Sequence, residues 1–113
     1  MLEVDYVPNR GDIIWLDFNP QIGSEQKGRR PALVISPLTY NKKVGLVIVM
    51  PITSQVKNYP FETQIPNVNL TNGVILTDQI KSLDWRKRNS IFIEKLEEKI
   101  LKECINKVSK LLC

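Results

Sequence analysis

The stretch ALVISPLTYNKKVGLVIVM, Ala32 to Met50, decides the fold, because two nearly continuous apolar runs stand on either side of one short polar connection. Ala32 to Ile35 and Leu46 to Met50 are rich in β-branched residues and leucine, the composition of strands buried on both faces. They belong at the centre of a sheet. Between them, Ser36 to Lys43 contains Pro37, Tyr40 and Asn41, which suits a single helical turn or an open turn rather than a tight hairpin.

Outward from this pair, the chain reads as further short strands. Asp12 to Phe18 alternates Ile13, Trp15 and Asp17 against Ile14, Leu16 and Phe18, and Pro20 with Gly23 ends it. Phe61 to Ile65, Val74 to Thr77, Ile80 to Leu83 and Ser90 to Ile93 are strand segments too, with a turn at Asn72-Gly73. After Ile93 the period becomes helical: Ile93, Leu96, Ile100, Leu101, Cys104, Ile105, Val108, Leu111 and Leu112 recur at spacings of three and four. Glu97, Glu98, Lys102, Glu103, Asn106 and Lys110 take the other face. Short strands without crossover helices cannot build a parallel sheet, so the expected architecture is mainly β (α+β), a small, strongly bent antiparallel barrel closed by an amphipathic C-terminal helix.

A chain of 113 residues makes one domain, residues 1–113, with a single core. Its 42% hydrophobic and 25% charged content is globular rather than disordered. The formal charge of +4 favours a polyanionic partner, and its placement matters more than its size. Lys27, Arg29 and Arg30 form one basic knot and Arg86 to Arg88 another, whereas seven of the acidic residues lie from Glu62 onward. Cys104 and Cys113, with no histidine in the chain, support neither a zinc site nor a disulfide framework. Cys104 belongs to the helix core. The opening MLEVDYVPN has two acids and no basic leader, and Leu46 to Met50 is far below a membrane span, so a soluble cytosolic protein is expected.

The chemistry concentrates in GSEQKGRRPALVISP, Gly23 to Pro37, where charged groups on a loop feed into a buried strand. Ser24, Glu25, Gln26, Lys27, Arg29 and Arg30 lie close enough to share one phosphate-sized ligand. A second polar cluster, Pro51-Ile52-Thr53-Ser54-Gln55, ends the other apolar run.

Five segments in order, RGDIIWLDFNP from Arg10, GSEQKGRRPALVISP, the Tyr40-Asn41-Lys42 turn, PITSQVKNYPF from Pro51 and LTDQIKSLDWRKR from Leu76, together resemble the MazF/PemK-like toxins. These are ribosome-independent endoribonucleases of bacterial toxin–antitoxin systems. The resemblance implies an SH3-like barrel, sequence-specific and metal-independent cleavage of single-stranded RNA such as mRNA, and products ending in a 2′,3′-cyclic phosphate and a 5′-hydroxyl. It also implies a homodimer and an acidic, MazE-like antitoxin whose tail lies across the basic groove. No cofactor, metal or membrane enters this picture.

The lack of histidine removes the usual acid/base pair for attack of the 2′-hydroxyl on the adjacent phosphate. Three jobs must then be shared by other groups: a base for the 2′-hydroxyl, donors to the phosphoryl oxygens, and an acid for the departing oxygen. Glu25, Arg30 and Thr53 match the family's active-site segments. Arg30 can donate a bidentate pair to phosphate, and a guanidinium, with a pKa above about 12, is a reluctant acid and an improbable base. Glu25 is the better base, Thr53 supplies a short donor, and Ser54 is a possible second. Gln26, Lys27, Arg29, Lys57, Gln79, Lys81 and Arg86 are the RNA-contact candidates; Gln26, Ser54, Asn58 and Gln79 offer polar edges to unstacked bases, and Tyr59 or Phe61 a stacking face. Arg29 stands where the family often has histidine, and Ile52-Thr53-Ser54 replaces a more usual Thr-Thr pair ending, which bears on target choice.

Structural readings compete with each of these. Glu25 beside Lys27 and Arg29 also fits a solvated ion pair, Arg30 a strand-edge partner for Asp12, Asp17 or Asp78, and Thr53 an ordinary strand residue. Trp15 reads as core or dimer interface, while Trp85 beside Arg86 reads equally as core or as a base-stacking platform. Two other functions fit the same barrel: a non-enzymatic, CcdB-like toxin that grips a protein such as gyrase, and an RNA-binding barrel without catalysis. The first uses its C-terminal helix end, and here Ser109 to Cys113 carries no aromatic, whereas the charges needed for cleavage are present.

Overall fold

A computed structural model describes residues 6–18 and 28–113. Within them, strands β1 (Asp12–Asp17), β2 (Arg29–Val34), β3 (Val47–Thr53), β4 (Glu62–Gln64), β5 (Val74–Leu76), β6 (Lys81–Leu83) and β7 (Ile91–Lys95) form one sheet, with helices α1 (Leu38–Val44) and α2 (Glu98–Leu112). The order is β4-β5-β3-β2-β1-β7, with β6 also on β3. Every pairing is antiparallel, as the absence of crossover helices requires. The two apolar runs are adjacent and central.

Side chains of the central strands alternate between two cores. Ile13, Leu33, Met50, Ile52 and Ile75 pack with Leu101, Cys104 and Val108 of α2. Ile14, Leu16, Phe18, Ala32, Val34, Val47 and Val49 meet Trp85 on the opposite face. Burying each of the larger aliphatic side chains contributes about 1.5–3 kcal/mol, so sheet and helix hold one another.

Three local readings change in the structure. The helical pattern starts later than Ile93, because Ile93 lies in β7 and the Leu96 N–H still donates to the Gly11 carbonyl at 2.8 Å. Both side chains nevertheless pack on the α2 core, which lets the sequence period run on without a break. At the other end of α2, Leu112 is 71% exposed and Leu111 is also exposed, since the sheet has ended beneath them. Trp15 sits at the surface, 39% exposed, although Ile13 and Leu16 on its strand are fully buried, which removes the core reading of it and not the interface one.

The connection between β2 and β3 is a short helix with a buried polar centre. Asn41 Nδ2 donates to the carbonyls of Pro8 and Ser36 at 2.8 and 3.0 Å, while Asn41 Oδ1 accepts from the Ser36 hydroxyl. Ser36 Oγ in turn accepts from the Ile48 N–H at 2.9 Å, so the turn is stitched to the start of β3. Gly45 ends α1 in the left-handed region at φ 82°, and its N–H returns to the Asn41 carbonyl.

Candidate active site

Ala32 opposes Pro51 and Val34 opposes Val49 across β2 and β3. Because the pair is antiparallel, the start of β2, with Arg30, and the end of β3, with Thr53, lie at the same end of the sheet. Two residues separated by more than twenty positions are thus brought to one end of the sheet. On its other edge Thr53 pairs with Val74, and Gly73 beside it comes so close that a Cβ there would lie 2.1 Å from the Thr53 carbonyl oxygen. With its φ of 115° as well, position 73 admits only glycine. The predicted Asn72-Gly73 turn therefore also sets where Thr53 stands.

Thr53 opens onto a cavity of about 200 Å³ shared with Gln55, Lys57, Tyr59, Glu62, Leu76 and Gln79. The Thr53 hydroxyl accepts from the Gln55 N–H at 3.1 Å, which leaves its own O–H to donate to a ligand. Tyr59 donates to Asp78 Oδ1 at 2.7 Å. Burial, with the Asp78 bond and charge adding to it, pushes the Tyr59 phenol up to about 12, so the ring stands in the wall as a neutral group. The Glu62 carboxylate accepts from the N–H groups of Lys57 at 3.0 Å and Asn58 at 2.9 Å, folding the segment after β3 back over the strand end.

Of the residues expected to act, Thr53, Lys57 and Gln79 line this cavity, and Arg30 lies at the facing strand end. Ser54 is exposed next to Thr53. Asn58, in the left-handed region at φ 59°, lines the neighbouring depression with Val56, Gln64 and Lys107. Glu25, Gln26 and Lys27, with Ser24, lie outside the described residues. Lys81 pairs with Val49 in β6, further back along β3. Gln55 and Glu62 are wall residues that sequence reasoning passed over; the only trace of Glu62's role was an acid shortly after Lys57-Asn58, a residue pair suited to a turn.

Arg29, Arg88 and Arg86 are instead tied to groups of the fold itself. Arg29 pairs with Asp17 at 3.1 Å and donates to the Asn89 carbonyl at 3.0 Å. The Asn89 side-chain amide, followed by Arg29, keeps the Asp17 carboxyl below its ordinary range. Arg88 donates to the Asp17 carbonyl at 3.0 Å. Arg86 donates to the Lys42 carbonyl at 2.9 Å and lies 5.0 Å over the Trp85 ring. Trp85 is buried, its Nε1–H donating to the Asn41 carbonyl at 2.9 Å, so it is a core residue and not a stacking platform. Since Leu83 pairs with Val47, Arg86 belongs to the opposite end of β3 from Thr53, about 20 Å away along the strand. The structure does not bring Arg86 into the site. Nor does Asp12 serve Arg30: it is buried among the Tyr6 hydroxyl, the Asn9 N–H at 2.9 Å and Lys95.

This geometry has close relatives. The model of PemK-like, MazF-like toxins of type II toxin–antitoxin systems matches residues 9–112. The endoribonuclease toxin MazF of Escherichia coli (strain K12) is 51% identical over 85 residues, covering 75% of this chain and 76% of that one. The crystal structure of MazF from Deinococcus radiodurans superposes with a TM-score of 0.93 at 46% identity, covering 96% of this chain and 98% of that one. A MazE–MazF structure from the same organism gives 0.85 at 42% identity, covering 96% and 97%. The chain belongs to the family of PemK-like, MazF-like toxins of type II toxin–antitoxin systems, and is an endoribonuclease of that family.

Proposed function

We propose that this toxin cuts single-stranded RNA, mRNA included, at chosen sequences without a metal ion, by attack of a 2′-hydroxyl on the neighbouring phosphate. The observation that carries this reading is the convergence of Arg30 and Thr53 at facing strand ends beside a polar cavity, in a chain without histidine. Arg30 donates to the phosphoryl oxygens as charge builds on them, and Thr53 adds its hydroxyl. Glu25 takes the proton from the attacking 2′-hydroxyl. Lys57, Gln79 and the Tyr59 wall hold the flanking nucleotides, with Ser54 and Asn58 at the rim. Bond formation to the 2′ oxygen breaks the bond to the 5′ oxygen, which takes up a proton from solvent, leaving a 2′,3′-cyclic phosphate and a 5′-hydroxyl.

Residues 1–113 carry the activity as one domain, acting as a homodimer in the bacterial cytoplasm, where its RNA lies. Solved complexes of the Deinococcus radiodurans relative join MazF to MazE, which supports a comparable acidic antitoxin here. An acidic segment competes for the cations that hold phosphate, so added salt weakens antitoxin and RNA binding together. The test is incubation with a mixed-sequence single-stranded RNA in EDTA, mapping of fragment ends, and Arg30→Ala as control. Discrete cuts ending in cyclic phosphate and absent from the variant are expected; RNA left intact across varied sequences overturns the reading in favour of a toxin that grips a protein.

A further inference from the structure

The turn from Lys57 to Glu62 is closed around a single carboxylate. Glu62 Oε2 accepts from the Lys57 N–H at 3.0 Å and Oε1 from the Asn58 N–H at 2.9 Å, while the Glu62 N–H donates to the Tyr59 carbonyl at 3.1 Å. Asn58, with φ at 59°, turns the chain so that two successive N–H groups converge on one anion. Glu62 is itself anchored from behind. Lys107 of α2 donates to the Glu62 carbonyl at 2.7 Å, and Glu62 opposes Leu76 in the β4–β5 pair. The turn therefore rests on the sheet and the C-terminal helix, and its outer residues Lys57 and Tyr59 face Thr53 and Gln79 across the cavity.

We propose that Glu62 is a positioning residue for RNA binding: it holds the turn that sets Lys57 and Tyr59 opposite Thr53, and it takes no proton in the reaction. The proposal rests on the reading of this cavity as the RNA site. Both carboxylate oxygens already accept backbone N–H groups, so the carboxylate is committed to holding the turn. What the turn presents, a lysine and an aromatic wall, binds nucleotides in the ground state and the transition state alike. Loss of such contacts raises KM and spares kcat.

The experiment measures kcat and KM on a defined single-stranded RNA for the full-length toxin, Glu62→Ala, Glu62→Gln and Lys57→Ala, with thermal melting of each. Glu62→Ala is expected to raise KM about tenfold, the equivalent of one charge-assisted hydrogen bond, with kcat within about threefold of the parent. Glu62→Gln stays within about threefold in both constants, because its carbonyl oxygen remains near Oε1, which lies 2.9 Å from the Asn58 N–H and 3.3 Å from the Lys57 N–H. A folded Glu62→Ala protein with unchanged KM overturns the proposal, as does a collapse of kcat that glutamine fails to rescue, which would make Glu62 the base. Lys57→Ala alters an exposed side chain and must reproduce the KM rise; unchanged KM there overturns the proposal even if Glu62→Ala does not fold. RNA left uncut by the parent toxin instead overturns the underlying reading of the site.

Discussion

The two ends of strand β3 carry polar groups of much the same kind and use them in opposite ways. At the Val47 end, Ser36, Asn41, Trp85 and Arg86 bond to one another and to nearby carbonyls, so every donor named there has an acceptor within the fold. At the Thr53 end, hydroxyl, amide and ammonium groups surround an open cavity. The difference teaches that a cluster of polar residues becomes a site where a strand end opens onto a cavity instead of a packed turn. Residue type alone does not decide it. Buried polar groups that pair internally stabilise a turn, and those aimed into a cavity await a ligand.

Breaking each end should give separable results. Arg30→Ala is expected to lower RNA cleavage about 10³-fold, the range of a removed transition-state donor, measured as kcat on a defined RNA with the far-ultraviolet dichroism retained. Asn41→Ala, at the other end, removes the hydrogen bonds to Ser36 and Pro8 and should lower unfolding free energy by about 3 kcal/mol in urea denaturation. Protein that remains folded should still cut RNA with the parent kcat. A smaller effect separates the ends more sharply: Arg86→Ala should cost about 1 kcal/mol in the same denaturation assay and leave KM for RNA within about twofold. An RNA-contacting Arg86 would instead raise KM and flatten its salt dependence.

The smallest effect concerns the segment before Gly73. Glu94 accepts from Leu70 N–H and Asn69 Nδ2 at 3.1 Å and from Thr71 N–H at 2.8 Å. Burial works to raise the Glu94 carboxyl, and these donors more than offset it, holding it below the ordinary glutamate range. A depressed carboxyl stabilises the fold above its unfolded-state pKa, and that contribution is lost as pH falls through the folded value. The protection of the Leu70 and Thr71 amides relative to their intrinsic exchange rates should therefore fall on acidification, and Glu94→Gln should remove that acid dependence.

Much of this was legible before any coordinates. Two runs of β-branched residues read as central strands, and GRR before one with PIT at the end of the other put Arg30 and Thr53 at strand mouths, which the antiparallel pair then brings to one end of the sheet. Trp85-Arg86-Lys87-Arg88 misled in part because an aromatic flanked by cations looks the same whether it stacks on a base or packs on its own helix cap. Only the neighbouring Asn41 carbonyl settles which. Glu62 is hard to single out for a related reason: its place depends on a turn closed by long-range supports, Lys107 among them, that no local pattern encodes. The helix start was misplaced because Ile93 and Leu96 serve the same core from extended backbone.

The contrast between the two tryptophans has a use of its own. Trp85, sealed against Asn41, and Trp15, open at the rim with Pro31, Leu70 and Ile93, are the chain's only indoles and occupy environments of opposite polarity. Acrylamide should quench Trp15 and spare Trp85, so the emission of the unlabelled toxin resolves into two channels. One follows unfolding of the Val47 end, and the other follows whatever covers the outer face of β1.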